Sequence, residues 1–102
     1  MDVIGKKVII RASRAGVFFG TLKEKLYTQA GVQVELENSR RIWYWNGAAS
    51  LSQLATEGVK LPEECKFSVV VPQHLVEEVI EIIPCSDEAI ESIENVRVWR
   101  IY

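Results

Sequence analysis

The sequence predicts a small α+β domain: a curled antiparallel sheet or partly open barrel, of about six to seven strands, with two short helices. Three observations predict it. Short β-branched runs separated by turn residues fill the first half of the chain. Two serine-led segments, at Ser50 and Ser86, have the form of helix starts. Gly20 interrupts a run of strand formers where a small sheet would bend or bulge to close. With 102 residues, the chain closes one core and is read as a single domain, 1–102.

In chain order, Lys6 to Arg11 is a short β-branched strand, Ala12 to Gly16 a turn, and Val17 to Glu24 the returning strand of a hairpin. Tyr27 to Gly31 is a looser loop. Val32 to Glu37 alternates apolar and polar residues with period two, and Asn38-Ser39 is read as a turn into a fourth strand, Arg40 to Trp45. Ser50-Leu51-Ser52-Gln53 has the form of a capping box, with Gly58 at the far end of a helix over 51–57. Phe67 to Val71 reads as a strand stopped by Pro72. The run from Leu75 to Ile83 fits either period, and a strand over Glu78 to Ile83 is favoured over a helix. Ser86-Asp87-Glu88 caps a second helix with Ala89, Ile90 and Ile93 on its apolar face. Val96 to Tyr102 alternates cleanly and is read as a last, edge strand.

Composition narrows the function classes. Hydrophobic residues at 48% and charged ones at 25% are ordinary for a globular domain, so neither disorder nor a fibre is indicated. A formal net charge of -2 argues against wrapping duplex nucleic acid, although arginines gather in the first half and acids in the second. The N-terminus lacks the apolar core of a signal peptide, and no apolar run approaches the ~18 residues of a membrane span. A cytoplasmic protein is the default. Cys65 and Cys85 stand far apart without a CxxC, and are read as reduced core thiols, not a zinc or redox site. His74, the single histidine, lacks a catalytic partner at a recognisable spacing and is read as a loop residue; Glu77, Glu78 and Glu81 are read as a solvated face. No catalytic residue, metal or cofactor is expected, and the chain is not read as an enzyme.

Two clusters point to binding. Arg40 to Trp45 packs two guanidinium groups and three aromatics into six positions. On a strand, Arg41, Trp43 and Trp45 share one face while Arg40, Ile42 and Tyr44 share the other, so covering both faces takes a helix, a partner or a flat ligand. Rings stack on a base and guanidinium groups pair with phosphate. Arg11, Ser13 and Arg14 lie in a Gly16-terminated turn whose backbone amides can form a concave anion site. The candidate ligand residues are therefore Arg11, Ser13, Arg14, Arg40, Arg41, Trp43 and Trp45.

Val8-Ile9-Ile10-Arg11, Ala15 through Leu22, Val34-Glu35-Leu36 with Arg40 through Trp45, Gly47 through Leu51, and Glu81 through Cys85 together resemble a family of small uncharacterised proteins of tailed phages and prophages. The resemblance covers nearly the whole chain, with Lys25 to Ala30 as extra residues that imply a longer hairpin loop. It brings no activity, but it implies an accessory factor working in the cytoplasm of an infected bacterium. Gly16 to Glu24 with Val34 to Ile42 also looks like the bent strand pair of Sm-like and SH3-like barrels. The expected function is sequestration of a nucleotide-like ligand, of anti-defence type. The alternatives are a module that inhibits or redirects a host protein and an Sm-like binder of single-stranded nucleic acid. Edge strands would allow a homo-oligomer.

Overall fold

The computed structural model describes residues 2–101. Five strands, β1 (Lys7–Ala12), β2 (Gly16–Thr28), β3 (Gly31–Tyr44), β4 (Lys66–Phe67) and β5 (Val71–Pro84), form a mostly antiparallel sheet. Helices α1 (Leu51–Glu57) and α2 (Asp87–Glu94) and a 3-10 turn at Pro62–Glu64 complete it. The pairings run in a circuit from β1 to β2, β3, β5 and back to β1, with β4 attached to the end of β3. The sheet is thus partly ring-like without being a barrel, and the α+β class read from the sequence holds.

The strand count is lower than expected for two local reasons, the merging of two strands at Asn38 and the absence of a strand after Val96, and the strands themselves are longer. Asn38 does not turn the chain; it takes a left-handed φ of 52° as a kink within one long β3, so the two strands read there are one. The residues read as the loop after β2 are themselves paired, Lys25 with Val34 and Tyr27 with Val32, which leaves only a tight turn at 28–31. Val96 to Tyr102 contributes no strand: among the described residues only a parallel bridge from Val98 to Phe67 forms, with Trp99 N–H donating to the Phe67 carbonyl at 2.9 Å. Tyr102, assigned to that strand by the sequence, lies outside the described residues. The favoured reading of 78–83 as strand is correct, but β5 is longer, starting before Pro72 and absorbing Glu78 at φ 56°.

Two apolar clusters explain why so short a sheet holds together. Val8, Ile10, Phe18, Leu22, Val34, Leu36, Val76 and Val79 fill the inside of the strand circuit. Ile9, Phe19, Ile42 and Phe67 face the other way, against Leu54, Ala55, Ala89 and Ile93 of the helices. β1 is buried on both faces, which is why it reads as an unbroken Val-Ile-Ile run instead of alternating. Where a chain must change faces, it bulges. The register shifts at Gly20, where a Cβ would stand 3.1 Å from the Ser39 Cα and 3.2 Å from the Glu37 carbonyl, so the close strand approach favours glycine.

The helices form as their caps predict. Ser50 Oγ accepts from Gln53 N–H at 3.1 Å, while Gln53 Oε1 reaches back to accept from Ala49 N–H at 2.7 Å. Gly58 closes α1 at φ 79°, its N–H on the Leu54 carbonyl. Ser86 Oγ accepts from Ala89 N–H and donates to the Thr56 carbonyl at 2.6 Å, and Ser92 Oγ both accepts from Val59 N–H and donates to its carbonyl. Two serines thereby lock α2 onto the end of α1. The helix layer is in turn fastened to the sheet by the Lys7–Glu94 ion pair and, more deeply, by Arg40.

Candidate binding groove

The end of β3 positions the site. Beyond the Asn38 kink, Ser39 and Arg41 stay on the ring side, Ser39 beside His74 and Arg41 over Phe18, while Arg40 and Ile42 turn to the helix layer. Arg40 is only 4% exposed. Its Nε donates to the Ser68 carbonyl at 3.0 Å, and its Nη1 donates to the carbonyls of Ile93 at 3.1 Å and Val96 at 2.8 Å, where α2 ends. The guanidinium carbon stands 5.4 Å from the centre of the Phe67 ring. Burial lowers its pKa from the ordinary arginine value. This is a clasp between sheet and helix, and it withdraws Arg40 from the ligand residues read from sequence.

Arg41 has a different environment. Half-buried, it lays its guanidinium 4.6 Å from the centre of the Phe18 ring and donates from Nη1 to the Ala15 carbonyl at 2.7 Å. Both contacts fix its direction, and neither neutralises its charge: among the described residues no carboxylate pairs with it. The turn that it touches is the one read as an anion site. There, however, Arg11 pairs with Glu81 at 3.3 Å and Arg14 with Glu78 at 3.4 Å, and the Ser13 amide donates to the Glu78 carbonyl. Those exposed pairs spend the turn's positive charge on β5. The two sequence clusters therefore do meet, but through Arg41 alone.

Trp43 is 66% exposed, and Trp45, instead of sharing its face, packs against the helix-side core. The register shifts between Ile42 and Tyr44, and Trp45 lies past the end of β3, where strand alternation stops. Trp43 finds a partner that the sequence reading missed: Trp99, 47% exposed, brought alongside by the Val98–Phe67 bridge. Together with Arg41, Val69, Arg100 and Ile101 these rings line an open, predominantly apolar groove of about 350 Å³. The alternation of Val96 to Tyr102 was the available signal for a second aromatic, but strand periodicity cannot say that residues 99–101 lie beside β3.

His74 belongs to β5, not to a loop. Its Nδ1 shares a 2.9 Å hydrogen bond with the fully buried Ser39 hydroxyl, and its ring meets Phe18 edge-on at 4.9 Å. Burial, then the Arg41 charge, lowers its pKa. A hydroxyl sealed from solvent is no accessible nucleophile, so the pair supports the wall under Arg41. Both cysteines are free thiols: Cys65 is raised chiefly by burial, and Cys85 is pushed up to about 12 by the same cause. Among the described residues no group of three or more His, Cys, Asp or Glu side chains could hold a metal, and no helix is long and apolar enough to cross a membrane.

Comparison with known proteins places the chain by sequence. No curated protein matches it, and no solved structure does. Residues 5–93 match the family described as Domain of unknown function (DUF6948), a span that takes in the whole strand circuit and all but the last residue of α2, and the chain belongs to that family.

Proposed function

We propose that this protein is a non-enzymatic binder of a nucleotide-like ligand, held in the groove between Trp43 and Trp99. One observation carries the reading: two exposed tryptophans from distant parts of the chain border a single groove beside Arg41, a guanidinium without a carboxylate partner among the described residues. Exposed tryptophans offer a flat ring a stacking surface in water, and an oriented guanidinium offers an anion two parallel donors. The groove's volume falls at the small-molecule end of the ~300–1,000 Å³ range of ligand pockets. In the phage setting that the sequence resemblance implies, such a protein would sequester a nucleotide signal of the host.

The test is a titration of the purified protein with adenosine and guanosine monophosphates, followed by tryptophan emission. Saturable quenching that disappears in Trp43→Ala, at unchanged melting temperature, is the expected result. A second reading has its own support: Val69 and Ile101, both exposed, add apolar surface to the groove beside the tryptophans, and tryptophan and arginine are the residues on which protein contacts most often depend. A flat titration with both nucleotides would sink the first reading and leave a module that engages a host protein through this surface.

A further inference from the structure

Trp99 is a wall shared by two grooves. On its other side a second groove, of about 550 Å³, runs between the 3-10 turn at Pro62–Glu64 and the segment 97–100. The two differ in chemistry. The first is bordered by Trp43, Val69, Ile101 and the Arg41 guanidinium, the second by the charged side chains of Lys66, Arg97, Glu63 and Glu64, while Trp99 and Arg100 border both. Lys66 Nζ stands 5.2 Å from the centre of the Trp99 ring, which holds an ammonium at the boundary between the grooves.

Glu63 and Glu64 also line the second groove, so its lining is mixed in charge, but neither carboxylate is paired with Lys66 or Arg97. Glu64 Oε1 accepts from Asn46 Nδ2 at 2.8 Å, and among the described residues neither Lys66 nor Arg97 is in an ion pair. Each groove alone has the volume of a small-molecule pocket. A ligand that used both would be two units long, with a flat ring in the first groove and an anionic group beside Lys66 and Arg97 in the second.

The geometry points to a ligand that straddles Trp99: a nucleotide carrying at least two phosphates, dinucleotide in length, with one base against Trp43 and Trp99 and a phosphate between Lys66 and Arg97. This inference rests on the nucleotide-binding reading and narrows it. A mononucleotide reaches only the first groove; a linear dinucleotide with a 5′-phosphate reaches both.

Isothermal titration at one fixed, low salt concentration, with AMP and with the 5′-phosphorylated diadenylate pApA as the probes, tests it. The diadenylate is expected to bind on the order of tenfold more tightly than AMP, the gain of one well-placed charge-assisted contact. The double variant Lys66→Ala/Arg97→Ala, both exposed positions, should erase that gain, so that this variant binds the two probes equally. Equal affinities for the two probes, both abolished by Trp43→Ala, would overturn the straddling ligand while nucleotide binding survived. A gain that persists in the double variant overturns it as well. Binding of neither probe removes the nucleotide reading and this one together.

Discussion

Arg40 and Arg41 are neighbours in the chain and have opposite fates. Arg40 points into the seam between sheet and helices, where three backbone carbonyls surround it; Arg41 points to the rim, where one carbonyl and one ring steer a charge that no described carboxylate neutralises. The kink at Asn38 sets the difference, because it shifts which residues of β3 face the helices. A pair of arginines in sequence is thus not a pair in function. One is a structural tie that donates to the backbone carbonyls of Ser68, Ile93 and Val96, and the other is a component of a surface.

The sharpest way to break this comparison is to remove each guanidinium in turn. Arg40→Ala leaves a cavity against Phe67 and removes the guanidinium donor from the Ser68, Ile93 and Val96 carbonyls, of which Ile93 keeps the Val96 N–H, and should cost on the order of 3 kcal/mol in urea unfolding. Arg40→Lys should recover only part, since an ammonium lacks the planar fork that spans two elements. Trp43→Ala should do the reverse: nucleotide affinity falls roughly tenfold or more, and the unfolding midpoint stays within about 0.5 kcal/mol of wild type. Arg41→Ala lies between the two. Losing its contacts with Ala15 and Phe18 should cost about 1 kcal/mol of stability, and affinity should fall several-fold. If Arg40→Ala folded as well as wild type but failed to bind, the roles assigned to the two arginines would have to be exchanged.

What the sequence made legible follows from which interactions are local. Both helix caps and Gly58 were readable because a cap involves residues within four positions of each other. The Gly20 bulge was readable because glycine in a strand run has few other uses. Asn38 was misread because a turn and a bulge call for the same left-handed residue, and only the partner strand distinguishes them. The candidate site divided similarly. Arg41 and Trp43 were found by density of residue type, whereas the withdrawal of Arg40 depended on carbonyls 53 and 56 positions away, and Trp99 depended on a bridge to Phe67. Arg11 and Arg14 were spent on Glu81 and Glu78, residues of a strand whose register no local pattern encodes.

The smallest predicted effect tests the rim from beneath. His74 is the single histidine, so its imidazole signals in an NMR titration need no assignment by mutation. Burial is the larger cause of its lowered pKa and the Arg41 charge the second, so Arg41→Ala should move the titration midpoint back toward, but not fully to, the ordinary value of about 6.5. The same shift has a consequence for stability. Because the folded state holds the proton less tightly than the unfolded one, the stabilisation is fully present above the ordinary imidazole value and declines as the pH falls from there through the lower folded value. Melting temperature should therefore drop as the pH falls below the ordinary imidazole value of about 6.5, and His74→Gln should flatten that slope. An Arg41→Ala variant in which the His74 midpoint does not move would show that the guanidinium is not held over Phe18 in solution. The oriented anion donor of the groove would then go with it, leaving Trp43 and Trp99 to bind by stacking alone.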